Sequence, residues 1–359
     1  MRRSSWVLIV TGVALLVVAG YLFTESLSST ASDWAYSMTG IRDLQSRGLD
    51  GSGVNVAIVD TGFEANHPSL SKIHLAAWHD YVNGRSSAYD DSGHGSHVAG
   101  VLAGGGATFF GKLQGLNMRG AAPGVNLIAV KAIAKDGSGT SSNVAAGIDF
   151  ATSQGADIIC LSLGGKSLGA LGSVTDDITQ AVDRATNRGI LVVAAAGNTG
   201  EDSSRNDVET PATLENVIAV GAVTRNRQVP SFSAEGNSDA NYGIMGVGGT
   251  RVPATATRQD PNKKPELVAP GVGIQSAWEH GSYRIAAGTS QAAPFVCGGL
   301  ALVLESQPAL RSDNSEGLVT RVKTALQRSV EPLPNQKTPH DPRAGYGLLR
   351  ADRLLDQLR

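Results

Sequence analysis

Val54-Asn55-Val56-Ala57-Ile58-Val59-Asp60-Thr61-Gly62 is a short apolar, β-branched run that ends in a carboxylate and a turn. Four runs of the same kind follow it: Asn126–Lys131 (NLIAVK), Ala156–Ser162 (ADIICLS), Ile190–Ala196 (ILVVAAA) and Val217–Val223 (VIAVGAV). Runs this short, with almost no polar break, are expected for strands covered on both faces. Helix-like segments fall between them. Ser142–Gln154 places Val144, Ile148 and Phe150 or Ala151 along one face, and Thr175–Arg188 does the same with Ile178, Val182 and Ala185 before a stop at Gly189. Strand–helix–strand alternation predicts an α/β fold: three layers, a doubly wound and mostly parallel sheet with helices on both faces. Further helices are expected at Thr39–Arg47 and Glu316–Arg328, with a Pro-rich link over Glu331–Pro342 and a short terminal helix after it. Gly236–Lys264, rich in Gly, Asn, Thr and Pro, reads as an inserted loop.

The 359 residues are 41% hydrophobic and 17% charged, which is the composition of a folded chain. A net charge of −2 without any Lys/Arg run gives no footprint for nucleic acid. The amino terminus differs. Arg2 and Arg3 precede 18 uncharged, mostly apolar residues, Trp6–Phe23. As a helix these would span about 27 Å, close to the hydrocarbon thickness of a bilayer. Two targeting readings stand: an uncleaved anchor over 6–23 with its amino terminus in the cytoplasm, or a signal cleaved near Ala31 after the small residues Ser29 and Ala31. Both put the rest of the chain outside the cytoplasm. Residues 1–33 are therefore taken as a targeting segment with a short linker, and 34–359 as one domain. Cys160 and Cys297 lie in apolar runs and are expected as two buried free thiols, although an oxidising compartment would permit a disulfide.

Three residues stand where hydrolytic chemistry needs them. Asp60 ends a buried strand, on the edge of an open α/β sheet where ligands sit. His94 lies among glycines in Gly93-His94-Gly95-Ser96-His97-Val98-Ala99-Gly100, at the expected start of a buried helix. Those glycines are read as leaving its ring uncrowded. Ser290, in Gly288-Thr289-Ser290-Gln291-Ala292-Ala293-Pro294, precedes an apolar helix. Pro294 is expected in the first turn of that helix, where N–H groups have no partners. A serine hydroxyl needs a base, an imidazole can serve, and a carboxylate fixes its tautomer. Ala194-Ala195-Ala196-Gly197-Asn198 ends another strand with an amide able to donate to an oxyanion. Taken singly, such an Asp is more often a turn residue and such a Ser an N-cap. His97 is read as a packed helix residue, His67 as a turn residue with structural bonds, and Asp90 and Asp91 as capping or solvating the loop before His94.

VAIVDTG, GHGSHVAG, LSLGG, AAAGN and GTSQAAP, in this order, resemble the signature segments of the subtilisin-like (subtilase) family. The order Asp…His…Ser also separates this family from the α/β-hydrolases. The resemblance covers roughly residues 34–359. It implies a serine endopeptidase with catalytic Asp60, His94 and Ser290, and with Asn198 and the Ser290 N–H as oxyanion donors. Gly137, Ser138 and Gly139, and Ser162, Leu163 and Gly164, resemble the two extended segments that flank a bound peptide. Ala195, Ala196 and Gly197 would line the first specificity pocket, left open by small side chains and so suited to broad digestion. No cofactor is implied, the partners are polypeptide substrates, and the chain is expected to act as a monomer.

Departures from the family pattern carry their own expectations. Gln291 stands where the family commonly has Met, so tolerance of peroxide is expected. Only about ten residues separate Phe23 from the start of the resemblance, too few for a folding pro-domain, so unaided folding or help in trans is expected. Ala103–Arg119 stands in place of a loop that often binds calcium in relatives; it shows no convergent carboxylates, so no metal ligand is assigned and a structural calcium is left open without support from the sequence. Other readings were a processing protease of narrow specificity, a catalytically dead peptide binder and a nucleotide-binding domain. The third lacks a Gly-rich fingerprint after a strand.

Overall fold

A computed structural model of the chain describes residues 32–106, 118–164, 176–202, 207–237, 258–311 and 316–359. Seven strands form one sheet: β1 (Asn55–Asp60), β2 (His74–Asp80), β5 (Asn126–Lys131), β6 (Ile158–Leu161), β7 (Leu191–Ala195), β8 (Val217–Val223) and β9 (Leu267–Pro270). Their spatial order is β2-β5-β1-β6-β7-β8-β9, and every pairing is parallel. Two-residue strands β3 (Gly105–Gly106) and β4 (Met118–Arg119) pair antiparallel, as do β10 (Val272–Ala277) and β11 (Tyr283–Ala287).

The period-2 alternation of each strand splits its apolar residues between two cores. In β1, Val56 and Ile58 join one core while Ala57 and Val59 join the other. The first core receives α3 (His94–Ala103), α6 (Thr289–Ser306), α8 (Glu316–Ser329) and α9 (Ala351–Leu358). The second receives α4 (Ser141–Ser153) and α5 (Asp176–Thr186). This is the expected three-layer, doubly wound arrangement. The α4 helix starts where a cap is available: Thr140 Oγ1 accepts the Asn143 N–H at 3.1 Å.

The sheet contains elements with no clear signal in the sequence. Strand β2 is an edge strand with mixed burial, so its apolar run is broken. Strand β9 has four residues and ends in Pro270. The helix expected over Thr39–Arg47 is α2 (Ile41–Ser46), and a further helix, α1 (Asp33–Met38), precedes it; Gly40 at φ +71 separates the two. A short α7 (Pro308–Arg311) follows α6. Both cysteines are buried and free, one in β6 and one in α6. Among the described residues no helix is long and apolar enough to cross a membrane. The apolar segment 6–23, Ala31 and most of the expected loop 236–264 lie outside the described residues.

The strand order positions the site. It reverses about β1, with β5 on one side and β6 on the other. A crevice therefore opens at the carboxyl end of β1, where Asp60 stands. Ser162 and Asn198 follow β6 and β7 on the same edge.

Candidate active site

Asp60 closes β1 and is 1% exposed. Its Oδ1 accepts the Thr61 N–H at 2.6 Å and the His94 Nδ1–H at 2.8 Å. Its Oδ2 is buried with no hydrogen-bond partner. The bond fixes the His94 tautomer, leaving Nε2 as an acceptor. His94 is the first residue of α3. The glycines beside it serve close packing rather than an uncrowded ring. Gly93 has φ +87, and a Cβ there would lie 2.6 Å from the Trp278 ring. A Cβ on Gly95 would lie 2.2 Å from the Gly62 carbonyl oxygen. Gly95→Ala is therefore expected to push α3 from β1 and cost about 1–3 kcal/mol. A urea midpoint and an activity both equal to wild type would contradict that tight fit.

Asp90, Thr61 and Asp91 hold this corner with further hydrogen bonds. Asp90 Oδ1 accepts from the Thr61 hydroxyl and from the Ser92 and Gly93 N–H groups. Its Oδ2 accepts both the N–H and the hydroxyl of Ser96, capping α3 as the sequence suggested. Thr61 Oγ1 in turn accepts the Gly95 N–H at 2.9 Å. Asp91 does more than solvate the loop: it pairs with the fully buried Lys131 at 2.7 Å. Lys131 closes β5 in register with Asp60, and its other two bonds go to the Thr61 and Ile133 carbonyls. Sequence reading missed Lys131. The available signal was a lysine ending an otherwise apolar run.

Ser290 is the second residue of α6 and is half-buried. Its hydroxyl donates to the Ser162 carbonyl at 3.0 Å, not to His94 Nε2. The structure thus joins Asp60 to His94, while the Ser290 hydroxyl is turned onto the segment after β6. Pro294 is not in the first turn. The helix starts at Thr289, so Pro294 is its sixth residue and leaves the Ser290 carbonyl without an i+4 donor. The Ser162 hydroxyl fills that gap, donating to the Ser290 carbonyl at 3.0 Å. These two reciprocal bonds clamp the start of α6 to the end of β6.

Asn198 is exposed, and its Oδ1 accepts the N–H (2.9 Å) and hydroxyl (3.2 Å) of Thr289. That leaves its Nδ2 free to donate beside Ser290. A Cβ on Gly288 would lie 2.9 Å from Gln291 Oε1 and 3.4 Å from Asn198 Nδ2, so both amides flank that glycine. Ala195 ends β7, the Ala196 carbonyl accepts the Glu209 N–H at 2.7 Å, and the Gly197 N–H donates to Thr289 Oγ1 at 3.1 Å. Ser162, Leu163 and Gly164 follow β6. Of the expected extended residues Gly137–Gly139, Gly137 lies in a turn at φ +81, and Gly139 pairs antiparallel with Ile133. The turn forms because Asp136 Oδ1 accepts the N–H and hydroxyl of Ser138. A carboxylate lies against two of the residues expected to bind substrate: Glu209 reaches both Gly164 and Gly197.

Burial opposes charging of His94, but the Asp60 carboxylate in contact with it, and Asp90 farther off, outweigh that and hold its pKa above the ordinary value. His97 behaves oppositely. Burial, helped by the charge of His94, lowers it to about 3. Its Nε2 lies 3.1 and 3.2 Å from the Ile274 and Arg284 carbonyls, so it is a neutral packing residue. His67 Nε2 donates to the Ser282 carbonyl at 2.7 Å, and its Nδ1 accepts the Ser69 N–H, the structural bonding expected of it. Among the described residues no three His, Cys, Asp or Glu side chains are grouped to hold a metal ion. Residues 107–117 of the loop compared with calcium sites lie outside the described residues.

The subtilase family model matches residues 51–347. Subtilisin DY of Bacillus licheniformis is 37% identical over 283 residues, covering 79% of this chain and 88% of that protein. Subtilisin BL of Lederbergia lenta is 36% identical over 276 residues, 77% of this chain and 85% of that protein. Serine protease AprX of Bacillus subtilis is 34% identical over 316 residues, 82% of this chain and 66% of that protein.

Proposed function

This chain belongs to the subtilase family and is a serine-type endopeptidase, and on that premise we propose that Asp60, His94 and Ser290 carry its chemistry. The observation that carries this reading is the 2.8 Å bond from the His94 imidazole to the buried Asp60 carboxylate, on the sheet edge where Ser290 begins α6. In the proposed cycle the Ser290 hydroxyl rotates from the Ser162 carbonyl toward His94 Nε2. It loses its proton there as Oγ attacks the scissile carbonyl carbon. The tetrahedral oxyanion takes bonds from Asn198 Nδ2 and from the Ser290 N–H, one of the unpaired donors at the helix start. The His94 imidazolium, stabilised by Asp60, gives its proton to the leaving amine. Water then repeats the sequence on the acyl-enzyme.

The substrate is a polypeptide, proposed to lie between Gly137–Gly139 and Ser162–Gly164, with its side chain entering beside Ala195–Gly197. We take residues 34–359 as one catalytic unit acting outside the cytoplasm. Packing supports the early boundary: Gln45 in α2 donates to the Gly120 and Ala121 carbonyls.

The raised pKa of His94 predicts the acid limb of the pH profile. The base must be neutral, so kcat/KM should fall as pH drops through a value above the ordinary 6.5 of histidine. Profiles of kcat/KM between pH 5 and 9 check this, and a limb below 6.5 would contradict the Asp60 effect. The activity itself is tested by mapping internal cuts in an unfolded protein before and after saturation with a fluorophosphonate. Internal cleavage that vanishes on labelling is expected; cleavage that survives complete labelling rules out the serine mechanism.

A further inference from the structure

Glu209 is a buried acid with no cation beside it among the described residues. It lies in the segment between β7 and β8 and is 8% exposed. Its N–H is fixed to the Ala196 carbonyl at 2.7 Å. Its side chain turns back into the space that two glycines leave. A Cβ on Gly164 would lie 2.3 Å from Glu209 Oε2, and a Cβ on Gly197 would lie 2.5 Å from its Cγ and 2.7 Å from its Cδ. Any side chain at position 164 or 197 would displace this carboxylate, and Gly197 at φ +109 disfavours one in any case.

No hydrogen bond or ion pair of the carboxylate is found among the described residues. The nearby acid Asp207, by contrast, has a cation: its Oδ1 is paired with Arg258 at 2.8 Å. The side-chain atoms that are both sealed from solvent and unpaired include one oxygen of Asp207 and one of Asp60, but neither oxygen of Glu209. Neither Glu209 oxygen is therefore sealed from solvent, and the side chain lies against Gly164 and Gly197, in the segments that follow β6 and β7. A carboxylate in such a half-dry recess lacks a cation, and a bound one would relieve its desolvation.

We infer that Glu209 makes the first specificity pocket select a basic residue, arginine or lysine, on the amino side of the scissile bond. This rests on the endopeptidase reading above and replaces the neutral pocket that the Gly/Ala lining suggested. Arginine suits the site best, because its guanidinium can meet both carboxylate oxygens in one plane. A charged hydrogen bond of this kind corresponds to roughly 10- to 100-fold in kcat/KM.

The test uses the full chain and fluorogenic peptides that differ only at that residue: Arg, Lys, Leu, Phe and Glu. For wild type, Arg and Lys are expected to exceed Leu and Phe, and Glu to be poorest. In Glu209→Gln the ratio of kcat/KM for Arg over Leu should fall roughly 10- to 100-fold. If Glu209→Gln fails to fold, Glu209→Asp, which withdraws the carboxylate by one methylene, should lower the same ratio. A wild-type profile that favours Leu or Phe overturns the assignment without any variant. So does a ratio unchanged in a folded variant. Fluorophosphonate labelling run alongside separates the two failures: no labelling and no cleavage of any peptide would sink the endopeptidase reading, whereas labelling with cleavage but no basic preference sinks only the role of Glu209.

Discussion

Ser290→Ala is expected to lower kcat about 10⁶-fold, the size this loss has in subtilisin itself and so carried over from the family. The structure adds where the loss should appear. Among the described residues the hydroxyl bonds only the Ser162 carbonyl in the resting state, and the main-chain clamp from Ser162 Oγ to the Ser290 carbonyl does not involve it. Removing it should leave the fold, the oxyanion donors and substrate binding in place. The effect should therefore fall on kcat with KM nearly constant, and on stability by no more than about 1 kcal/mol. Single-turnover kinetics and urea unfolding measure both. A variant retaining more than a hundredth of the activity would remove Ser290 from the chemistry.

Asp60→Asn is the second large effect, about 10⁴-fold in kcat. The carboxylate holds His94 through Oδ1 alone, because Oδ2 has no partner. An amide placed there can turn its NH₂ toward Nδ1 and leave Nε2 protonated, the wrong tautomer for a base. Loss of the charge also removes the cause of the raised His94 pKa, so the residual acid limb should move downward. The sign follows from which terms remain, since burial by itself lowers that pKa. Rate profiles of wild type and Asp60→Asn at equal ionic strength check both. An acid limb in the same place would show that Asp60 does not set the charge of His94.

The five central strands were legible because strands covered on both faces leave apolar runs that nothing interrupts. Val56 and Ile58 face one core, Ala57 and Val59 the other, and no polar residue is tolerated between them. Strand β2 hid because an edge strand carries polar residues on its open side. Helix α1 hid because six residues make too few turns to show a helical period. The proposed catalytic residues were legible because Asp60, His94, Ser290 and Asn198 sit in short motifs with a fixed order. What connects those motifs was not. The Pro294 gap filled by Ser162, the Lys131 support under Thr61 and the Glu209 carboxylate beside Gly164 all join residues far apart in the chain. Each depends on how strand ends meet, which no local pattern records.

The proposed mechanism requires Ser290 to be the nucleophile that His94 activates. The direct measurement is the rate and location of fluorophosphonate attachment, read by intact mass and peptide mapping at pH 8. One adduct per chain, on Ser290, formed at least a thousandfold more slowly in His94→Ala, is the predicted result. An adduct on another residue, or labelling of Ser290 at the wild-type rate without the imidazole, would contradict it.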